Sequence, residues 1–127
     1  MTEPDEVRGK RILLADDQPE VREVTKWMLG MDGHIVTEAG SGREALDLFT
    51  PDRFDLVITD YVMPLMKGDE LACNIKRLAP AEPILMITGS TGELDSLRAS
   101  VDAILSKPFA FEDLRQAVAQ LLRPATG

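Results

Sequence analysis

Leu56-Val57-Ile58-Thr59-Asp60 is an apolar, β-branched run that stops on a carboxylate, and its reading decides the fold. Three other runs have the same form. Ile12-Leu13-Leu14-Ala15 leads into Asp16-Asp17, Ile84-Leu85-Met86-Ile87 into Thr88, and Ala103-Ile104-Leu105-Ser106 into Lys107. The runs are continuous rather than alternating, as expected for strands covered on both faces. Stretches of helical period separate them, so the chain reads as βαβ units around a parallel sheet. Ligands of open α/β sheets bind beyond the carboxyl ends of the strands, where strand order reverses. Every polar run-end would then lie along one rim.

The helices carry their own punctuation. Val21, Val24, Met28 and Met31 form a stripe of 3.6-residue period, with Pro19 in the first turn and Gly33 past the end. Trp27 borders that stripe and is expected to pack. His34 to Ala39 reads as the second strand. Ser41-Gly42-Arg43-Glu44 is a capping box that opens a helix burying Ala45, Leu48 and Phe49. Leu71, Ile75 and Leu78 mark a third helix after Gly68, and Phe111, Leu114, Val118 and Leu121 mark the last one after Pro108. Leu94, Leu97 and Val101 support only a short fourth helix. The expectation is a doubly wound α/β fold: one five-stranded parallel sheet in the order 2-1-3-4-5, with five helices.

With 127 residues, 44% of them apolar and 28% charged, the chain is sized for one domain that buries its own core. We expect a domain over residues 10–123 between a polar lead-in, 1–9, and a short tail, 124–127. The formal charge of −8 argues against a nucleic-acid surface, which needs clustered Lys and Arg. No apolar run approaches the ~20 residues that span a bilayer, and Met1 to Lys10 lacks the apolar centre of a signal peptide. The single cysteine, Cys73, can form no internal bridge, so a reducing cytoplasm is the expected compartment.

At the rim, Asp16, Asp17 and Asp60 suit Mg²⁺, which takes oxygen ligands and commonly one or two carboxylates beside a phosphate. The competing reading makes Asp17 the cap of the first helix, with Glu20 three residues on, and Asp16 a solvated loop residue. Asp60 could act as a nucleophile and form an aspartyl phosphate. Lys107 would then hold the phosphoryl oxygens, and Thr88 would donate a hydrogen bond to the new phosphate. Singly, a strand Thr is usually packing and a Lys is usually a solvated charge.

Taken together, Arg11 to Pro19, Asp55 to Pro64, Ile87-Thr88-Gly89 and Ser106-Lys107-Pro108-Phe109 resemble the receiver domain of two-component response regulators. The likeness runs from about Lys10 to Leu122, with the four motifs in family order. Ser41 to Leu46 resembles the start of the family's second helix. The resemblance implies that Asp60 accepts a phosphoryl group from a sensor histidine kinase or a histidine phosphotransfer protein. It implies Mg²⁺ on Asp17 and Asp60, on Asp16 through water, and on the backbone carbonyl of Val62. It also implies a Lys107–phosphoryl pair, a Thr88 that moves toward the phosphate, and a cis Lys107–Pro108 bond.

Two positions depart from the family. The aromatic residue that accompanies the Thr movement is replaced by Ile104, whose β-branching leaves little χ1 freedom. Thr88 and Lys107 are nineteen positions apart, fewer than usual, and Ala99-Ser100-Val101 replaces the family's glycine before the fifth strand. That face often mediates dimerisation in relatives, so a monomer or weak dimer is expected.

The expected function is a phosphoacceptor switch with an unknown downstream protein target. It would be a stand-alone regulator, a phosphorelay intermediate or the receiver of a hybrid kinase, because few residues follow the last helix. It is not expected to be a turnover enzyme. The alternative, a small Mg²⁺-dependent phosphohydrolase with an Asp nucleophile, would need a second Asp two residues after Asp60, where Val62 stands. A flavin carrier on the same fold would find its phosphate repelled by Asp16-Asp17.

Overall fold

A computed structural model describes residues 8–89 and 100–122. The elements are β1 (Arg11–Ala15), α1 (Pro19–Met31), β2 (Ile35–Ala39), α2 (Gly42–Leu48), β3 (Leu56–Asp60), α3 (Gly68–Leu78), β4 (Ile84–Thr88), β5 (Ala103–Ser106) and α4 (Phe111–Leu122). Each neighbouring pair of strands is parallel, in the order β2-β1-β3-β4-β5. The expected sheet is therefore present. The expected short helix around Leu94 and Leu97 lies outside the described residues, and Val101 itself is not helical.

Strand alternation divides the core into two layers. Leu13, Ala15 and Val57 face one way and pack with Ala45, Leu71 and Ile75 of α2 and α3. Ile12, Leu14, Leu56 and Ile58 face the other way and pack with Leu29 of α1 and Leu114 and Val118 of α4. All five residues of β3 and of β4 are buried, which explains why residues 56–58 and 84–87 are continuously apolar.

The helix faces differ in part from expectation. In α1 the fully buried residues are Thr25 and Leu29, whereas Val24 and Met31 are exposed and Trp27 is 66% exposed. Thr25 can turn inward because its hydroxyl donates to the Val21 carbonyl at 2.9 Å, leaving no orphaned polar atom. In α3, Leu78 is exposed and Ala72 joins Leu71 and Ile75 in the core. The second strand starts one residue later than expected. His34 precedes it, buried, with Nδ1 accepting from the Lys10 amide at 3.0 Å.

The predicted caps form with one variation. Pro19 opens α1, and Gly33 follows it with φ +74°, a left-handed conformation that glycine adopts freely. Ser41 Oγ accepts from the Glu44 amide, while Glu44 reaches past Ser41 to the Gly40 amide at 2.7 Å. No helix among the described residues is long and apolar enough to cross a membrane.

Candidate functional site

The rim residues come from four strand ends. Asp16 follows β1, Asp60 closes β3, Thr88 closes β4 and Lys107 follows β5. One carboxylate oxygen each from Asp16, Asp17 and Asp60 lies within 4.8 Å of the others. Asp16 and Asp60 are buried and Asp17 is half-buried. Lys107 Nζ is 3.0 Å from Asp60 Oδ1.

Asp16 is neither a cap nor a solvated loop residue. Its Oδ1 accepts from the Gln18 amide at 3.0 Å, and Arg22 Nη1 donates to its carbonyl at 2.6 Å. Gln18, not Asp17, is the residue preceding the first turn of α1, and its side chain makes no capping hydrogen bond. The capping reading of Asp17 is thereby overturned. Asp17 instead belongs with the other two carboxylates.

Burial raises the pKa values of Asp16 and Asp60 above the ordinary value for an aspartate. For Asp60, Lys107 works against that rise and Asp16 adds to it. One ammonium does not balance three clustered acids. A hard divalent cation with an oxygen-ligand preference does, so the donor set fits Mg²⁺.

Thr88 is buried and sits one residue beyond Ile87, the register partner of Asp60. Its carbonyl accepts from the Lys107 amide at 2.9 Å, tying the hydroxyl-bearing strand end to the lysine. The Lys107–Pro108 bond is cis. Val62 stands two residues past Asp60, its side chain 63% exposed. Ile104 is half-buried against Tyr61 and Met86.

Two contributors escaped the sequence reading. A Cβ on Gly68 would collide with the Asp60 carbonyl oxygen and come within 3.0 Å of Tyr61 Cα. The Gly68 amide donates to the Tyr61 carbonyl at 2.8 Å, which closes the loop after Asp60. The sequence signal was a glycine at a helix start shortly after the acidic strand end. Arg22 is the second. It bridges Asp16 and Glu38, and only its place one turn into α1 could have suggested this.

The chain matches the response regulator receiver domain family over residues 12–119. It is 40% identical over 119 residues to the response regulator MprA of Mycolicibacterium vanbaalenii, covering 91% of this chain and 52% of that protein. The chain thus spans about half the length of the curated relatives it matches. Among solved structures, it resembles the response regulator TrrA of Thermotoga maritima in complex with Mg²⁺-BeF. That likeness has a TM-score of 0.83 at 35% identity, over 89% of this chain and 99% of the other. The receiver domain of a sensor histidine kinase from Pseudomonas aeruginosa PAO1, with magnesium coordinated in its active-site cleft, gives a TM-score of 0.83 at 26% identity. Here the coverage is 90% of this chain and 98% of that one. A parallel 2-1-3-4-5 sheet, an acidic rim paired with a lysine, and a family match across most of the sequence place this chain among the receiver domains of two-component response regulators.

Proposed function

We propose that Asp60 is the phosphoacceptor and that residues 10–123 form the receiver unit. The observation that carries this reading is the Lys107–Asp60 pair at 3.0 Å beside a cluster of three carboxylates. A carboxylate oxygen of Asp60 attacks the phosphorus of a phosphohistidine on a sensor kinase or phosphotransfer protein. The new O–P bond forms as the N–P bond breaks, and the imidazole nitrogen keeps the electron pair and takes up a proton. Lys107 stays beside Asp60 and offsets charge on the phosphoryl oxygens. Thr88 donates its hydroxyl to the bound phosphoryl group. Asp17 and Asp60, with Asp16 through water and the Val62 carbonyl, would hold Mg²⁺, which when bound would supply positive charge to the same oxygens.

The protein acts as acceptor, not as catalyst of a separate substrate's turnover. Phosphate on Asp60 shifts the population of loop arrangements around Thr88 and Ile104, and a protein target reads that shift. The solved relatives that hold Mg²⁺-BeF or magnesium support the metal assignment. A cytoplasmic location fits a kinase-fed acceptor.

Incubation with Mg²⁺ and acetyl phosphate should add one phosphoryl group, read as intact mass. Asp60→Asn should abolish the adduct. An unchanged adduct in that variant would remove Asp60 from the reaction.

A further inference from the structure

At the opposite edge of the sheet, the connection from α3 to β4 buries a carboxyl group that the phosphoryl chemistry does not use. Glu82 is 7% exposed, and its Oε2 has no hydrogen-bond partner. Both nearby cations are already engaged. Lys76 Nζ donates to the Glu82 carbonyl and to Asp102 Oδ2, each at 2.7 Å. Arg11 pairs with Asp55 and donates to the Asp52 carbonyl. The remaining charged neighbours, Asp52 and Asp55, are acids that oppose ionisation of Glu82.

The same connection is held by backbone bonds. The Glu82 amide donates to the Ala79 carbonyl, and Pro83 accepts from the Val57 amide at 3.0 Å. Beside it runs an open groove of about 470 Å³, lined in part by Arg11, Asp52, Asp55 and Glu82. Lys76 and Arg11 favour the carboxylate, but both are committed to other partners, and burial with the two acids outweighs them. The ionised form therefore costs more than the neutral acid, and the groove gives it a way out to water.

We infer that Glu82 is a proton-operated latch: neutral, it stays buried and closes the α3–β4 connection; ionised, it swings into the groove and loosens that connection. Burial together with Asp55 pushes its pKa up to about 7, so the latch works near neutrality. The connection leads into β4, the strand that ends on Thr88. Proton binding at one edge of the sheet thereby acts on the strand that serves the other edge.

Two measurements test this. The side-chain carboxyl carbon of Glu82, followed by NMR in the full chain, should titrate near neutrality. Amide protection factors at Glu82 and Ile84 should fall about tenfold between roughly pH 6 and pH 8, the change expected when a group of ordinary acidity in the open form is held near neutrality in the closed form. Glu82→Gln should abolish that fall. A carboxyl midpoint in the usual carboxylate range overturns the latch, as does the same loss of protection in Glu82→Gln. Should that variant not fold, the titration of the unmodified protein decides alone.

Discussion

Lys107 meets Asp60 through its side chain at 3.0 Å while its backbone amide donates to Thr88, so one residue ties the acceptor to the neighbouring strand end. The two links have separate consequences. Lys107→Ala removes the ammonium and keeps the amide. The acidic cluster then has less positive charge nearby, so Mg²⁺ should bind at least as tightly. Phosphorylation by acetyl phosphate should slow by about tenfold or more, because charge on the phosphoryl oxygens loses a partner. Calorimetric Mg²⁺ titration and the rate of adduct formation separate the two effects. Loss of Mg²⁺ binding in this variant would contradict the assignment.

Gly68 supports Asp60 by being small. Gly68→Ala places a methyl group against the Asp60 carbonyl and Tyr61 Cα, both backbone, so the loop must move. The expected cost is about 2 kcal/mol, as for other overpacked sites, with weaker Mg²⁺ binding because the displaced segment carries Asp60. Gly30→Ala is the control. Its Cβ would meet nothing within 4 Å inside α1, and the change should stabilise the protein by up to about 1 kcal/mol. Urea denaturation of both variants reads the contrast.

The sheet was legible because β3 and β4 are buried on both faces, which makes their bodies, residues 56–58 and 84–87, continuous apolar runs up to the polar ends. The rim followed from it, since parallel strands bring their carboxyl ends to one edge. The face of α1 was not legible. Val21, Val24, Met28 and Met31 satisfy a helical period, yet Thr25 and Leu29 are the buried residues. A Thr that satisfies its own hydroxyl within the helix can be buried, so apolar spacing alone misplaced the stripe. The Asp16-Asp17 pair was ambiguous for a related reason. An Asp at a strand end serves a turn, a cap or a metal equally well in sequence, and the Gln18 amide on Asp16 together with the three-carboxylate cluster resolves it.

Far from the rim, Arg115 of α4 holds Asp32 at the end of α1, with Nε at 3.0 Å and Nη2 at 2.8 Å. Asp32 is 5% exposed, so removing its partner leaves a buried charge. Arg115→Ala should cost about 2 kcal/mol, scaled to the partial exposure of the arginine. Phosphorylation of the folded fraction should proceed at the unmodified rate. Thermal denaturation and adduct formation test the two halves, and an undiminished melting temperature would show that the pair holds nothing together.

Asp16 and Asp60 make the site's response to pH specific in sign. Burial raises both above their ordinary value of 3.8, so each keeps its proton to a higher pH than a free carboxyl does, and Mg²⁺ must displace it. Apparent Mg²⁺ affinity should therefore fall as pH is lowered toward the raised values of the two acids. Without metal, each raised group favours the folded state below its unfolded pKa, and that advantage is lost as pH rises through the folded pKa. His34, held below its ordinary 6.5 by burial, acts in the opposite sense on the acid side of that value. The metal-free comparison therefore belongs above about pH 6.5, clear of His34, where the decline is carried by Glu82, whose pKa burial pushes up to about 7. Metal-free protein should melt at lower temperature near pH 8 than near pH 6.5, and saturating Mg²⁺ should raise the melting temperature more at the higher pH. A Mg²⁺ shift that is larger in acid would mean that protons and the metal do not compete for Asp16 and Asp60.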